Sequence, residues 1–241
     1  MLLRRFMQHV KEQNWFAVGL DVIVVIVGIF LGMQVQEWYE DRTEKERIKA
    51  QLASFRNELV LSREQLATRQ AYYADRVASA NELRARLDSS DEFSAADLNR
   101  LIFSTIRGSG LNVTYRGYDE ITATGVISKV ADEHLRDLLY QWDTQLTMIT
   151  NFDDSIEETR NLVIIPRVIE AIPFGNALQT DERYQDLVIT KRFEYDINAI
   201  RADKGFDSML AMRHVQVKQQ LNTIVDFIAV TEALIEALES K

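Results

Sequence analysis

Between Gly32 and Gly108 the chain contains no glycine, and its first proline is Pro166. Gly and Pro interrupt helices and build the turns between strands, so a stretch this long without either predicts long helices. The whole chain of 241 residues contains only 9 Gly and 2 Pro, and it contains no Cys. The absence of Cys excludes a disulfide scaffold, a thiolate zinc site, an iron–sulfur cluster and a cysteine nucleophile. We therefore expect an all-α fold.

A second constraint is an apolar run over residues 15–33 that contains one charged residue, Asp21. A helix needs about 20 such residues to cross a bilayer. The run continues to residue 37 without the small-residue cleavage site that ends a secretory signal peptide. We therefore predict an uncleaved transmembrane helix over 15–37, preceded by a cationic arm over 1–14.

Aromatic residues lie at both ends of this span. Trp15 stands at one end, and Trp38 and Tyr39 follow the other. Trp and Tyr are enriched where a helix crosses the membrane–water boundary, so we predict these three residues to be interfacial anchors. The short cationic start favours a cytoplasmic N-terminus, with the large C-terminal domain outside the cytoplasm.

One face of the predicted span combines small residues with the acid. Ala17, Asp21, Gly28 and Gly32 are spaced by 4, 7 and 4 residues, which places them on one helical stripe. A Gly-x-x-x-Gly pair lets two helix backbones approach closely, so we predict that this stripe is a transmembrane interface. Asp21 has three interpretations: a protonated or hydrogen-bonded group within an oligomer, a proton or ion carrier, or a contact with another membrane protein.

Two segments resemble a known family. The run from Asp21 to Gln34, followed by Trp38, is similar to the signature of a family of uncharacterised bacterial single-pass membrane proteins, which is catalogued as a domain of unknown function. The segments 118–125 and 134–136 resemble its second signature, so the similarity covers about half of the chain. That family often has Glu where this chain has Asp21. The resemblance implies one N-terminal span and a helical domain, and it implies no known activity.

Beyond the span, apolar residues recur every seven positions, as in an amphipathic helix. The polar residues Ser62, Arg69 and Arg76 interrupt the second apolar seam of this stretch, which argues against a tight two-stranded coiled coil. We predict that the transmembrane helix continues into a long stalk helix over 38–90. The seven-residue series is Leu52, Leu59, Leu66, Tyr73, Ala80 and Leu87.

The remaining residues, 91–241, are predicted to form an antiparallel helical bundle, because two further long segments repeat the same seven-residue period. Ser94 and Asp132 are predicted helix N-caps. Gly125 is predicted to stop a short helix, and Pro166 to kink or end a long one. The segment 107–131 is expected to form a cap or elbow.

The search for catalytic chemistry gives no positive result. The sequence has no nucleophile elbow, no phosphate-binding loop, no dinucleotide fingerprint and no His pair with zinc-ligand spacing, so we predict no catalytic, cofactor or metal residues. An acidic cluster of Asp153, Asp154, Glu157 and Glu158 suggests either a divalent cation or, as the favoured interpretation, a solvated face or a partner for Arg160 and a neighbouring helix. The net charge of −9 argues against nucleic acid as a partner.

These observations favour a membrane-anchored scaffold or accessory protein that is not an enzyme. Its expected partners are the lipid bilayer and either a second copy of the chain or another membrane protein; no small-molecule ligand is assigned. An extracytoplasmic ligand sensor that needs a partner for its output is one alternative. An ion-coupled subunit that uses Asp21 is another.

Overall fold

All regular structure in the described part of the chain is helical, so the predicted all-α fold is confirmed. The predicted arm 1–14 lies outside the described residues. At 15–18 and 176–177 the backbone alone is described. The computed structural model describes residues 15–91, 94–108, 115–178, 184, 186 and 196–239.

The described helices begin with one long helix and end with another, and shorter helices lie between them. A π-helical turn, Arg160–Ile164, joins α5 to α6. In chain order the helices are α1 (Trp15–Asp88), α2 (Ala95–Ile106), α3 (Arg116–Ala123), α4 (Val126–Lys129), α5 (Glu133–Thr159), α6 (Ile165–Ala171), α7 (Phe174–Leu178), α8 (Ile197–Ala202) and α9 (Lys204–Glu239).

The chain divides into an N-terminal unit, Met1–Gln51, and a C-terminal unit, Leu52–Lys241. This boundary differs from the predicted division into a stalk over 38–90 and a bundle over 91–241. The second half of α1 belongs to the compact C-terminal unit, because its residues Phe55, Leu59 and Tyr73 are fully buried there. The predicted seven-residue stripe is therefore the side of α1 that packs into the bundle.

Within the N-terminal unit, α1 continues through a polar stretch that has no stop signal. Gln36 donates a hydrogen bond to Glu40 at 2.8 Å, and Arg42 pairs with Glu46 at 3.2 Å. Each such pair, four residues apart, stabilises a helix by about 0.2–0.5 kcal/mol. These contacts within α1 itself stabilise the helical conformation of residues 36–46.

The predicted helix signals are confirmed where the structure describes them. The Ser94 hydroxyl accepts a hydrogen bond from the backbone N–H of Asp97 at 3.0 Å, and the Asp132 carboxylate accepts one from Leu135 at 2.9 Å. Each side chain satisfies a backbone donor that the first helical turn leaves unpaired. Gly125 adopts φ 67°, a left-handed conformation that favours glycine, between α3 and α4.

The long helices of the C-terminal unit differ in direction. Contact partners on α1 and α5 increase in residue number together. The Phe55 ring lies 5.2 Å from the Trp142 ring, and the Tyr73 hydroxyl lies 3.2 Å from the carboxylate of Asp153. These two helices therefore run in the same direction, unlike neighbours in the predicted antiparallel bundle. Helix α9 is antiparallel to α1, because Arg63 pairs with Glu232 at 2.9 Å while Arg84, further along α1, pairs with Asp207 at 3.6 Å.

The parallel pair requires a return connection between α2 and α5, and contacts at 107–108 and 115–131, the described parts of the predicted elbow, show its two ends. The Tyr72 hydroxyl donates to the carbonyl of Gly108 at 3.3 Å, whereas the N–H of Arg116 donates to Glu58 at 2.8 Å. These two contacts lie about 21 Å apart along α1, given the helical rise of 1.5 Å per residue. Between Gly108 and Arg116 the chain has therefore returned along α1 from the level of Tyr72 to that of Glu58. As a result, α5 and the bundle part of α1 start at the same end of the bundle.

Pro166 has the predicted disruptive effect, but the disruption precedes it. Proline has no N–H and removes a helical hydrogen bond. The backbone before it widens into the π-helical turn, where the N–H of Ile165 bonds to the carbonyl of Arg160. The helix then resumes as α6 and ends at Ala171.

Candidate functional site

The apolar part of α1 is exposed on every side of the helix. Val24 is 63% exposed, Ile26 59% and Phe30 58%, although these residues point in different directions. A soluble helix normally turns one apolar stripe towards a core, whereas a helix that is apolar all round belongs in an apolar environment. Among the described residues, this is the one helix long and apolar enough to cross a membrane, with a mean hydropathy of 2.0 over its most apolar window.

The structure places the predicted interface residues on this helix. Asp21, Gly28 and Gly32 lie in its regular part, and all three are exposed. A Cβ atom on Gly28 or Gly32 would meet no atom within 4 Å beyond its chain neighbours and the backbone of its own helix. Ala17 lies on the same helix, but its side chain is outside the described residues. The face is thus open to a partner helix, and its role as an interface remains a prediction.

The predicted anchors at the other end of the span are also exposed. Trp38 is 62% exposed and Tyr39 65%. The guanidinium of Arg42 lies 5.8 Å from the centre of the Trp38 ring, a cation–π geometry that joins an amphipathic ring to a charge. This combination suits a membrane–water boundary. The side chain of Trp15 lies outside the described residues.

In the C-terminal unit, a carboxylate on α1 holds the start of α3. The two oxygens of Glu58 accept hydrogen bonds from the backbone N–H groups of Arg116 and Gly117, each at 2.8 Å. A Cβ atom on Gly117 would lie 3.0 Å from the Cα atom of Phe55, so a larger residue here would require α3 or α1 to shift. Glu58 thereby takes the place of an N-cap residue, which the local residue Tyr115 does not provide.

An aromatic core surrounds Trp142, which is fully buried. The rings of Phe55, Tyr115, Tyr118 and Phe227 lie 4.7–5.5 Å from its ring. The indole N–H donates to the hydroxyl of Thr231 at 3.1 Å, so its polar atom is satisfied. This core joins α1, α3, α5 and α9.

Burial changes the acidity of two tyrosines in this core. Burial raises the pKa of Tyr115 to about 12, and the nearby Glu58 adds to the increase. Burial also raises the pKa of Tyr118, with a further contribution from Asp143. Both phenols are therefore neutral at physiological pH, and their role in this core is packing.

Further along the bundle, polar side chains meet in the interior. The carboxylate of Asp153 accepts hydrogen bonds from the Tyr73 hydroxyl at 3.2 Å and from the Gln220 amide at 3.1 Å. Arg76 is 1% exposed beside them, and its guanidinium lies 5.5 Å from the Tyr72 ring. Burial lowers the pKa of the Arg76 guanidinium, because its charged form loses solvation.

A second buried arginine, Arg213, lies on α9 about two helical turns before Gln220. Arg213 has no exposed surface, and its guanidinium donates to the backbone carbonyls of Thr105 at 3.1 Å and Arg107 at 3.2 Å. Both carbonyls belong to the C-terminal end of α2, where a cation is favoured. We use the name polar layer for Tyr73, Arg76, Asp153, Arg213 and Gln220.

Sequence reasoning missed the polar layer, although it recorded two of its signals. Arg76 was recognised as an interruption of the apolar seam, and Asp153 as one member of an acidic cluster. The structure separates that cluster: Asp153 is buried at 3% exposure, whereas Glu157 pairs with Arg160 at 2.9 Å. The ion pair agrees with the interpretation of the cluster as a partner for Arg160, whereas the burial of Asp153 departs from a solvated face. No group of three His, Cys, Asp or Glu residues within the described part could hold a metal ion.

Comparison with known proteins adds no relative. No protein-family model matches the chain, and neither a curated protein nor a solved structure is similar to it. The resemblance of Asp21–Gln34 and of 118–125 to a family of single-pass membrane proteins therefore remains a prediction.

Proposed function

We propose that the protein is a membrane-anchored helical scaffold or accessory protein, without catalysis, that self-associates or joins a larger membrane complex. The observation that carries this proposal is the exposure of the apolar part of α1 on all sides. Twelve large apolar side chains between Leu20 and Val35 are each about half exposed or more. Removing one such side chain from water gains roughly 1.5–3 kcal/mol, so the set gains on the order of 20 kcal/mol in a bilayer.

Asp21 reduces this gain without reversing it. An acidic residue near the middle of a span costs about 3 kcal/mol on insertion scales. An interface that shelters the carboxyl group lowers that cost, and Gly28 and Gly32 provide room for a second backbone on the same stripe. The stripe that contains Asp21, Gly28 and Gly32 thus supports association between helices within the membrane.

Extraction from membranes tests the anchor. The full chain should remain in the membrane pellet after treatment with alkaline carbonate, and detergent should release it. Release by carbonate alone would refute a membrane-spanning helix.

We further propose that the N-terminus is cytoplasmic and that the C-terminal unit lies in the periplasm of a bacterial inner membrane. The absence of Cys makes this easy to measure, because a single introduced thiol is the only one to react. Leu61 is 78% exposed in the C-terminal unit. In Leu61→Cys, a membrane-impermeant maleimide should label intact spheroplasts as fully as lysed ones. Labelling only after lysis would reverse the orientation.

A large side chain at Gly28 tests self-association through the stripe of Ala17, Asp21, Gly28 and Gly32. Gly28→Leu should lower the fraction of cross-linked dimer in native membranes by about tenfold, because the backbones can no longer approach. Gly19→Leu is the matched control, since Gly19 lies on the opposite side of the same helix, rotated by about 180° around the helix axis from Gly28. Equal cross-linking in both variants and in the unmodified chain would exclude this interface and leave attachment to another membrane protein.

Ion coupling through Asp21 is the competing function, because Asp21 is the one ionisable residue in the apolar run. Asp21→Asn keeps the size and hydrogen-bonding capacity of the side chain and removes its charge. Normal assembly with loss of an ion-dependent phenotype would favour ion coupling. Loss of assembly would favour the interface.

A further inference from the structure

The C-terminal unit contains a second apolar core besides the aromatic one. This aliphatic core centres on buried residues of α2, α6 and α9 together with the end of α1. None of the rings around Trp142 belongs to it. Its central members are Leu83, Leu101, Ile164, Val168, Phe206 and Leu210.

The polar layer lies between the two cores on each long helical path. Along α1, Phe55 of the aromatic core precedes Tyr73 and Arg76, and Leu83 of the aliphatic core follows them. Along α5 and α6 the order is Trp142, Asp153 and Ile164, and along α9 it is Phe227, Gln220 and Leu210. The same order on three paths makes the layer a boundary across the unit.

We propose that the C-terminal unit opens in two steps, in which the aliphatic core separates at the polar layer while the aromatic core stays folded. This inference concerns the fold alone and does not rest on the proposed function.

Separation at the polar layer is favoured because water can replace the contacts that are lost there. A buried hydrogen bond contributes little net stability, since its groups bond equally well to water on exposure. Two buried atoms here also lack a hydrogen-bond partner within the described residues: the amide oxygen of Gln220, in the layer, and the hydroxyl of Thr105, whose carbonyl contacts Arg213. Exposing these atoms relieves a cost, whereas exposing Trp142 or Leu139 adds one.

The backbone is interrupted on the aliphatic side of the polar layer. The π-helical turn Arg160–Ile164 follows Asp153 by about two helical turns, and Pro166 follows it. A π turn and a missing N–H weaken the hydrogen-bond ladder between α5 and α6. Helix α6 can therefore detach without unwinding α5, where Trp142 is held.

Native-state hydrogen exchange on the full chain in detergent micelles measures the two steps. With increasing urea below the unfolding midpoint, amides of α2, α6 and 204–213 should exchange through one shared opening. Amides of 135–149 and 220–235 should exchange at least about tenfold more slowly, through a second opening with a larger urea dependence. One common exchange free energy and urea dependence for all these amides would overturn the proposal, as would the reverse order.

A matched pair of core truncations separates the two cores. Leu101 of the aliphatic core and Leu139, on the side of the aromatic core, are both fully buried. Leu101→Ala should speed exchange in α2 and α6 by about 30-fold or more and change exchange at 135–149 less than threefold. Leu139→Ala should speed exchange in both regions, because the aliphatic core has no stable partner once the aromatic core opens. Equal acceleration of both regions by Leu101→Ala would refute separate opening.

Replacing the polar layer tests its role as the boundary. The quadruple variant Tyr73→Phe, Arg76→Met, Asp153→Leu and Gln220→Leu removes the charges of Arg76 and Asp153 together with the two side chains that donate to Asp153. Arg213 keeps its hydrogen bonds to the carbonyls of Thr105 and Arg107. Exchange in the two regions should then converge to within about threefold. If the tenfold difference persists in this variant, the polar layer is not the boundary. If the variant does not fold, the exchange pattern of the unmodified chain and of Leu101→Ala decides the question.

Discussion

The contact between Glu58 and the start of α3 leads to a graded prediction. Its carboxylate accepts two backbone N–H bonds of 2.8 Å, from Arg116 and Gly117. Loss of an N-cap acceptor costs about 0.5–2 kcal/mol, and loss of a negative charge at a helix N-terminus costs a further 0.3–1 kcal/mol. We expect Glu58→Ala to lower the free energy of unfolding by about 2 kcal/mol. Glu58→Gln keeps one acceptor oxygen and should cost about half as much.

Urea unfolding provides the measurement. Trp142 is the one tryptophan in the C-terminal unit, since Trp15 and Trp38 belong to the N-terminal unit, so the change in fluorescence on unfolding reports this unit. For a unit of this size, 1 kcal/mol shifts the melting temperature by about 2–4 °C. Glu58→Ala should therefore melt about 4–8 °C lower, with an unchanged urea dependence.

Glu64→Ala is the control, because Glu64 is an exposed carboxylate on the same helix. Surface substitutions of this kind usually change stability by less than about 0.5 kcal/mol. If Glu58→Ala and Glu64→Ala have the same stability within that margin, the carboxylate does not hold α3 and the reasoning fails.

Three further predictions concern the same region. Burial raises the folded-state pKa of Tyr115 to about 12, from 10 in the unfolded chain, so its contribution to stability is complete below pH 10 and is lost as the pH rises towards 12. Urea unfolding at each pH measures this loss. In Tyr115→Phe the loss over the same range should be smaller by about 2 kcal/mol. Trp142→Phe should cost about 2–3 kcal/mol by circular dichroism in urea, because it leaves a void in the core and removes the hydrogen bond to Thr231; a cost below 1 kcal/mol would contradict the central role of this ring. Gly117→Ala should lower the melting temperature despite the better helix propensity of Ala, since its Cβ atom would lie 3.0 Å from the Cα atom of Phe55; an increase in melting temperature would show that α3 moves away at no cost.

Local signals in the sequence were sufficient for much of the helical structure. Ser94 and Asp132 cap the helices that they were predicted to cap, and Gly125 adopts the left-handed conformation expected of a stop signal. These features depend on contacts within a few residues, so the local sequence contains the necessary information.

The direction of the long helices could not be read from the periodic pattern. A seven-residue period shows which side of α5 is buried, but parallel and antiparallel neighbours bury the same stripe. The direction follows from the return connection. The carboxylate of Glu58 on α1 binds the N–H groups of Arg116 and Gly117 at the start of α3, which lie 58 and 59 positions later in the sequence. No local rule detects a cap that comes from another helix.

The sequence by itself determined the helical class, the apolar span, the buried side of α1 and the helix caps, because each depends on composition or on neighbours within one or two turns. Tertiary structure alone decided that the bundle starts at Leu52 and that Arg76, which interrupts the apolar seam, is buried. A lone polar residue on an apolar seam normally indicates exposure, since burying its charge is costly. Here Tyr73, Asp153 and Gln220 converge from three helices far apart in sequence, and only that convergence makes a polar interior possible.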